Sequence, residues 1–328
     1  MKAIKILTMA AMATAVFASC SNEDGLPQSN YPADNVVRIM TSVDGMNTRA
    51  SYGNSADKLK SFGFCIKNAN SEKYTYDNIK VSQKGYNWIP ATQMLWQNST
   101  TAVDILAYAP YQETTEDATG KVKIFGKTDY AFSVQADQSD AEDYSSDLIV
   151  FKQTGFTPVL ELNTSKAVEV AFTHLLSQLN LIIELRDQFN TNNNTVTKGF
   201  VTDVKVNGTI ISSKVDFSAS PISVQVDGTQ AAAINPETTG FTPAENATAH
   251  AVFNYSAIVI PQTVAAGNFS ISFKVNNTEY IWTATDAVTF ESGKKHELHL
   301  LAGKDVVQGG TISAKPWGKE TITEKETD

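Results

Sequence analysis

Two cysteines in 328 residues leave almost no scope for disulfide chemistry. Cys20 closes the N-terminal apolar run, and Cys65 lies between Phe64 and Ile66, the setting of a small packed residue rather than a reactive thiol. Arginine is nearly as rare: Arg38, Arg49 and Arg186 stand against 23 lysines among 26 basic residues. Basic runs are missing and the net charge is −9, which argues against nucleic acid and against anionic membrane surfaces. Past the N-terminus no apolar run approaches the ~20 residues needed to span a bilayer as a helix. Gly-x-Gly-x-x-Gly, Walker and Gly-x-Ser-x-Gly patterns are all absent, so phosphate cradles and nucleophile elbows have no foothold.

What is present begins with Lys2 and Lys5, followed by an apolar stretch from Ile6 to Phe17 and then Ala18-Ser19-Cys20. Those proportions are of a secretory signal. Small residues just before a cysteine match a lipobox, with Phe17 where Leu is more usual. Residues 1–19 are therefore expected to be cleaved, and Cys20 to carry lipid; each buried methylene adds about 0.8 kcal/mol to anchoring. Losing Lys2 and Lys5 takes the charge from −9 to −11. Residues 20–35 are polar, with Pro, Ser and Asn, and read as a flexible tether.

The dominant period of the remainder is two. Phe269, Ile271, Phe273 and Val275 alternate with polar residues, as do Leu179, Leu181, Ile183 and Leu185. Val37, Ile39 and Val43 line one face of 36–43, and similar runs occur near 62–66, 101–108, 147–152, 167–172, 200–206, 251–260, 279–285 and 296–301. Alternation of this kind predicts antiparallel sheets with one face on a core, hence β-sandwiches. Asn207-Gly208, Asp227-Gly228 and Ser292-Gly293 read as turns, and 227–250 as a long loop. Single helical turns are expected at His174–Ser177 and Ser139–Ser145. The mature length exceeds one comfortable core and suggests two domains.

Candidate chemistry is thin. His296-Glu297-Leu298-His299 imitates a zinc-protease motif, but that motif needs His at i and i+4 on a helix. Three apart on a strand, the two side chains point to opposite faces. Asp137, Asp140, Glu142, Asp143 and Asp147 lack the spacing of a Ca²⁺ loop and read as a solvated acidic stretch. Trp88, Trp96, Trp282 and Trp317 could form a sugar platform, although half-buried strand positions are the default for Trp. No catalytic, cofactor or metal residues are assigned. Arg49 is different: it alone among the arginines lies in an irregular polar stretch, where a protease could thread the chain and cut before Ala50.

Several segments in order resemble the fimbrillin (Mfa-like, type V pilin) family of Bacteroidales surface lipoproteins. They are the Cys20 lipobox, Thr48-Arg49-Ala50 after a first strand, Met94-Leu95-Trp96, and Asp104 to Tyr111. Ser146-Asp147-Leu148-Ile149, Val170 to Leu179, Ile260-Pro261-Gln262, Phe290 to Lys295, and Ile312 to Trp317 continue the series. Glu23-Asp24 behind the cysteine resembles the export signal of such lipoproteins, which favours the outer face of the outer membrane.

The resemblance implies an all-β chain with two transthyretin-like antiparallel β-sandwich domains in tandem, over 36–170 and 171–317, with 36–49 a removable first strand and cleavage loop. It implies a lipidated precursor cut after Arg49 by an arginine-specific protease, whose vacated groove accepts a strand from another pilus subunit. Outer-membrane lipid through Cys20, and a host or microbial surface ligand, complete the expected partners. The polar tail 318–328 offers only Ile322 as an apolar strand residue, which favours a tip or accessory subunit over a stalk unit. The rival readings are a monomeric surface glycan-binding lipoprotein and, behind it, a secreted β-sandwich hydrolase.

Overall fold

The computed structural model describes residues 30–44, 58–113, 116–117, 120–121, 123–190 and 196–317. Cys20, Arg49, Ala50 and the tail 318–328 lie outside the described residues.

The chain is all-β and built of several sheets; the one α-helix among the described residues is the single turn Pro158–Glu161. A seven-stranded sheet takes its strands in the order Ile39–Asp44, Val168–His174, Ile149–Phe156, Val103–Ala109, Ser61–Lys67, Tyr76–Lys84, Asn87–Pro90. A second large sheet runs Glu237–Thr242, Ala251–Val259, Ser177–Leu185, Lys294–Ala302, Val307–Gly309, with Ser313–Pro316 also on Lys294–Ala302. Facing it is a four-stranded sheet of Ala232–Ile234, Val201–Thr209, Ser270–Val275 and Thr278–Thr283.

The alternating runs all become strands, because their apolar members need a core and their polar members need water. Ser177–Leu185 shows the principle: Leu179, Leu181, Ile183 and Leu185 are buried, while Asn180, Ile182 and Glu184 are half-exposed. Direction is a separate matter. Two pairings are parallel, Ile39–Asp44 on Val168–His174 and Ser177–Leu185 on Lys294–Ala302, so the sheets are mixed. Alternation reports which face a residue takes, and the same pattern serves either direction.

Three local expectations are corrected. The 227–250 stretch carries two strands, Ala232–Ile234 and Glu237–Thr242, where a loop was read from its composition. Asn207-Gly208 is a bulge inside Val201–Thr209, not a turn: the register shifts there, and Gly208 has φ +94 with Asn268 O 2.1 Å from where a Cβ would stand. Neither expected helical turn is helix: His174–Ser177 joins two strands, and Ser139–Ser145 holds a single hydrogen-bonded turn, with Asp143 N–H donating to Asp140 O at 3.2 Å.

One core holds Val37, Ile39, Val43, Phe62, Phe64, Val170 and Phe172; it fills the inner face of the seven-stranded sheet. The opposite face of that sheet contributes Cys65, Leu106, Tyr108 and Val150 to the larger core of the C-terminal half. The bridge is a small sheet of Tyr130–Ser133, Ser212–Asp216 and Ser223–Val226. Tyr108, Tyr130 and Phe217 meet there with ring centroids 5.1–5.6 Å apart. Beside them Lys152 Nζ donates to the carbonyls of Phe217, Ser218 and Ala219 at 2.7–2.9 Å, fixing that loop to the first sheet.

Candidate functional site

The first strand is held in two ways. At its base Asn35–Val37 pairs with Met94–Trp96: Val37 N–H donates to Met94 O at 3.0 Å and Trp96 N–H to Asn35 O at 2.8 Å. Arg38 is tied back to Asp34 at 2.7 Å, and this bond holds the exposed Asp34 carboxyl at about 2. From Ile39 the chain swings to the opposite neighbour and forms six parallel pairs, from Ile39↔Val168 to Asp44↔Thr173. It is an edge strand of the sheet, so only one of its sides is paired.

Its apolar side chains face inward as the alternation predicts. Val37, Ile39 and Val43 are buried and Met40 points out. Beneath them Phe172 meets Phe62 edge-on at 5.3 Å, and Phe62 meets Trp88 at 5.0 Å. The strand thus supplies part of the core, yet it leads directly into 45–57, which contains Arg49.

A second cluster lies where Val168–His174 passes into Ser177–Leu185. Asp147 and His174 have fully buried side chains and share a contact at 2.9 Å between Oδ1 and Nδ1. Trp317 stacks on the His174 ring with centroids 3.9 Å apart and planes 3° from parallel. Around them Ser177 Oγ donates to Glu291 O, Ser292 Oγ to Leu175 O, and Gly293 N–H to Leu176 O. Lys295 is also buried here; desolvation pulls its pKa down to about 8, partly opposed by Asp147. Reading Asp147 with the acidic loop missed this role. Asp137, Asp140 and Asp143 do stay in that loop, where each accepts a backbone N–H two residues on. The one available hint in the sequence was that Asp147 directly precedes a buried apolar run.

The His296–His299 pair divides as its strand setting requires. His296 is buried and accepts the Glu291 N–H at Nε2, 3.0 Å away, while His299 lies outward against Glu184 at 2.6 Å. Burial holds the His296 pKa below its usual value. Below pH 6.5 the unfolded chain therefore takes up a proton that the folded chain resists, and stability is lost as pH falls through that window. The thermal midpoint is expected to drop between pH 7.5 and 5.5, and His296→Gln to flatten the drop; equal slopes in the two proteins would refute the assignment.

All four indoles are engaged by the chain itself. Trp96 stacks on Phe156 and Trp88 meets Phe62. Trp282 meets Phe269 and carries Gly309 so close that a Cβ there would be 2.1 Å from Nε1. Trp317 covers His174. A joint tryptophan platform is not formed.

The profile of the fimbrillin-like family matches residues 48–317, well over half of the chain. The chain belongs to that family. As a fimbrillin-like protein it is a fimbrial or adhesin subunit of the cell surface, and a structural protein instead of an enzyme. Solved structures with the same fold include a candidate cell adhesion protein from Bacteroides uniformis, 18% identical with a TM-score of 0.55, covering 87% of this chain and 99% of its own. Another candidate cell adhesion protein, from Bacteroides ovatus, is 14% identical with a TM-score of 0.58, covering 87% and 98%. A fimbrial protein from Bacteroides vulgatus is 18% identical with a TM-score of 0.54, covering 85% and 99%. No curated protein matches the chain significantly.

Proposed function

We propose that this fimbrillin-like chain is a pilus subunit exported as a lipoprotein and activated by loss of its first strand. Its signal is residues 1–19, and Cys20 carries the lipid that holds the precursor at the outer membrane. An arginine-specific protease cuts between Arg49 and Ala50, and a strand from another subunit takes the place of Ile39–Asp44. The observation that carries this reading is the first strand itself: an edge strand, core-filling on one face, followed within a few residues by Arg49. The family match supports it, since it begins at 48, after that strand, and ends at Trp317.

Under this reading the body is two transthyretin-like sandwich units, each built round one of the large sheets. The expected boundary between 36–170 and 171–317 falls inside Val168–His174, a strand of the first sheet, so the second unit begins after that strand. The polar tail 318–328 makes a poor donor, so the subunit is placed at a tip or accessory position that accepts a strand. Any adhesin ligand is a host or microbial surface molecule.

Digestion of the mature precursor with an arginine-specific protease provides the test. A new N-terminus at Ala50, followed by uptake of the chain into fimbriae, is the expected result. A precursor that stays uncut at Arg49 while still entering fimbriae would sink the activation step.

A further inference from the structure

The seven-stranded sheet has two ends, and both border the same groove. Ile39–Asp44 is paired on one side with Val168–His174, and Asn87–Pro90 on one side with Tyr76–Lys84. Among the described residues no ladder joins these two strands to each other or to anything on their outer sides. They are stitched only at the base, by the Val36↔Leu95 bridge and its flanking backbone bonds. Beyond that stitch lies a groove of about 760 Å³ whose walls include Ile39, Met40, Tyr86, Trp88, Ile89 and Met94.

The groove is also where apolar surface collects. Eight large apolar side chains are exposed in the described residues, and four of them, Met40, Tyr86, Ile89 and Leu95, line or flank it. Apolar clusters of this kind mark interaction surfaces, and two unpaired sheet edges call for backbone donors and acceptors. One ligand chemistry satisfies both demands: an extended strand whose alternate side chains are apolar. The chain's own tail does not qualify, because 318–328 has one large apolar residue, Ile322.

We infer that this groove is a landing site, on which the strand of a partner subunit seats while the first strand is still in place. Strand exchange then proceeds by displacement. The incoming strand enters beside Met40 and Tyr86, takes backbone bonds from the open edges, and advances toward the Val36–Leu95 stitch as Ile39–Asp44 peels from Val168–His174. Each ladder bond is handed over in turn, and the burial sites of Ile39 and Val43 are refilled as they empty. The inference rests on the strand-release reading above and adds the route by which release occurs.

Two measurements test it, with a synthetic peptide of residues 35–44 as the probe. In the first, the mature chain bearing Arg49→Gln is titrated with fluorescent peptide. Saturable micromolar binding is expected, weakened at least fivefold by the exposed-site pair Tyr86→Ser and Ile89→Asp; no binding, or binding indifferent to that pair, overturns the landing site. In the second, the chain is labelled at its N-terminus, cut at Arg49, and followed for loss of the labelled fragment. The loss rate should climb in proportion to unlabelled peptide, with a slope reduced at least fivefold by the Tyr86/Ile89 pair and unchanged spontaneous loss. A rate independent of peptide overturns displacement while leaving strand release intact. A fragment that stays bound at every peptide concentration overturns strand release itself.

Discussion

A chain that begins at Ala50 will be roughly 5 kcal/mol less stable than the chain that keeps its first strand. Val37, Ile39 and Val43 are buried, and each such side chain contributes about 1.5–3 kcal/mol by leaving water. The sum is an upper range, because unfolded chains already bury part of this surface. Against that loss stands the ordering of the strand backbone, at about 1–2 kcal/mol per residue, which the six parallel pairs and the two base bonds offset. The truncated protein should also expose Phe172, Phe62 and the unpaired edge of Val168–His174. Chemical denaturation of the two forms measures the difference, and dye binding reports the opened core. Adding a peptide of residues 35–44 in trans should restore most of the lost stability. Equal midpoints with and without the first strand would mean that the strand is ornamental to the core.

Replacing Trp317 with Ala is expected to cost about 3–5 kcal/mol, the usual range for a large buried aromatic. Its leverage exceeds its size. Val307–Gly309 has holds besides its backbone pairing, with Val307 on the core, Gln308 bonded by Arg186 at 2.7 Å and Gly309 against Trp282. The side chains of Ser313–Pro316, by contrast, are all exposed, and that strand relies on its pairing with Lys294–Ala302. Trp317 is the residue of that final stretch whose side chain is buried, with Ile312 only partly packed. Loss of the stack on His174 should therefore release Ser313–Pro316, and hydrogen exchange along 313–315 should accelerate toward the rate of an unstructured chain. Trp317→Phe, which keeps a ring over the imidazole, should retain most of the protection. If exchange in 313–315 is unchanged in the alanine variant, that strand is held by its ladder and the stack is incidental.

How much of this was readable from the residues varies by place. The alternation at 269–275 and 179–185 gave both strands and their buried faces, because each lies over a deep core on one side. Tyr76–Lys84 left no such trace: near the end of its sheet it is half-buried along most of its length, and only Val81 is fully buried. Asn87–Pro90, outermost, alternates exposed and half-exposed residues and ends in a proline. For the 227–250 stretch, composition misled, since Ala and Thr are as much at home on a strand edge as in a loop. The parallel pairing of Ile39–Asp44 with Val168–His174 joins residues some 130 positions apart, and no local pattern encodes a partner at that distance. The inward set Val37, Ile39 and Val43 was legible; what they pack against was not. The Asp147–His174–Trp317 cluster draws on three distant segments, each unremarkable alone. The roles expected of Cys20 and Arg49 rest on the sequence alone, since both residues lie outside the described structure.

The six-pair ladder along Val168–His174 has a sense as well as a register. A slip of one residue would turn Ile39 and Val43 outward, so a replacement must copy the alignment of the strand it succeeds. A joint formed this way is heterologous: one molecule gives the strand and the next receives it, through different surfaces. Such contacts do not close into a two-fold dimer, and repeated along a line they give a filament with unlike ends. If the first strand is the piece exchanged, the arrow of the whole fibre is written in the direction of one edge strand.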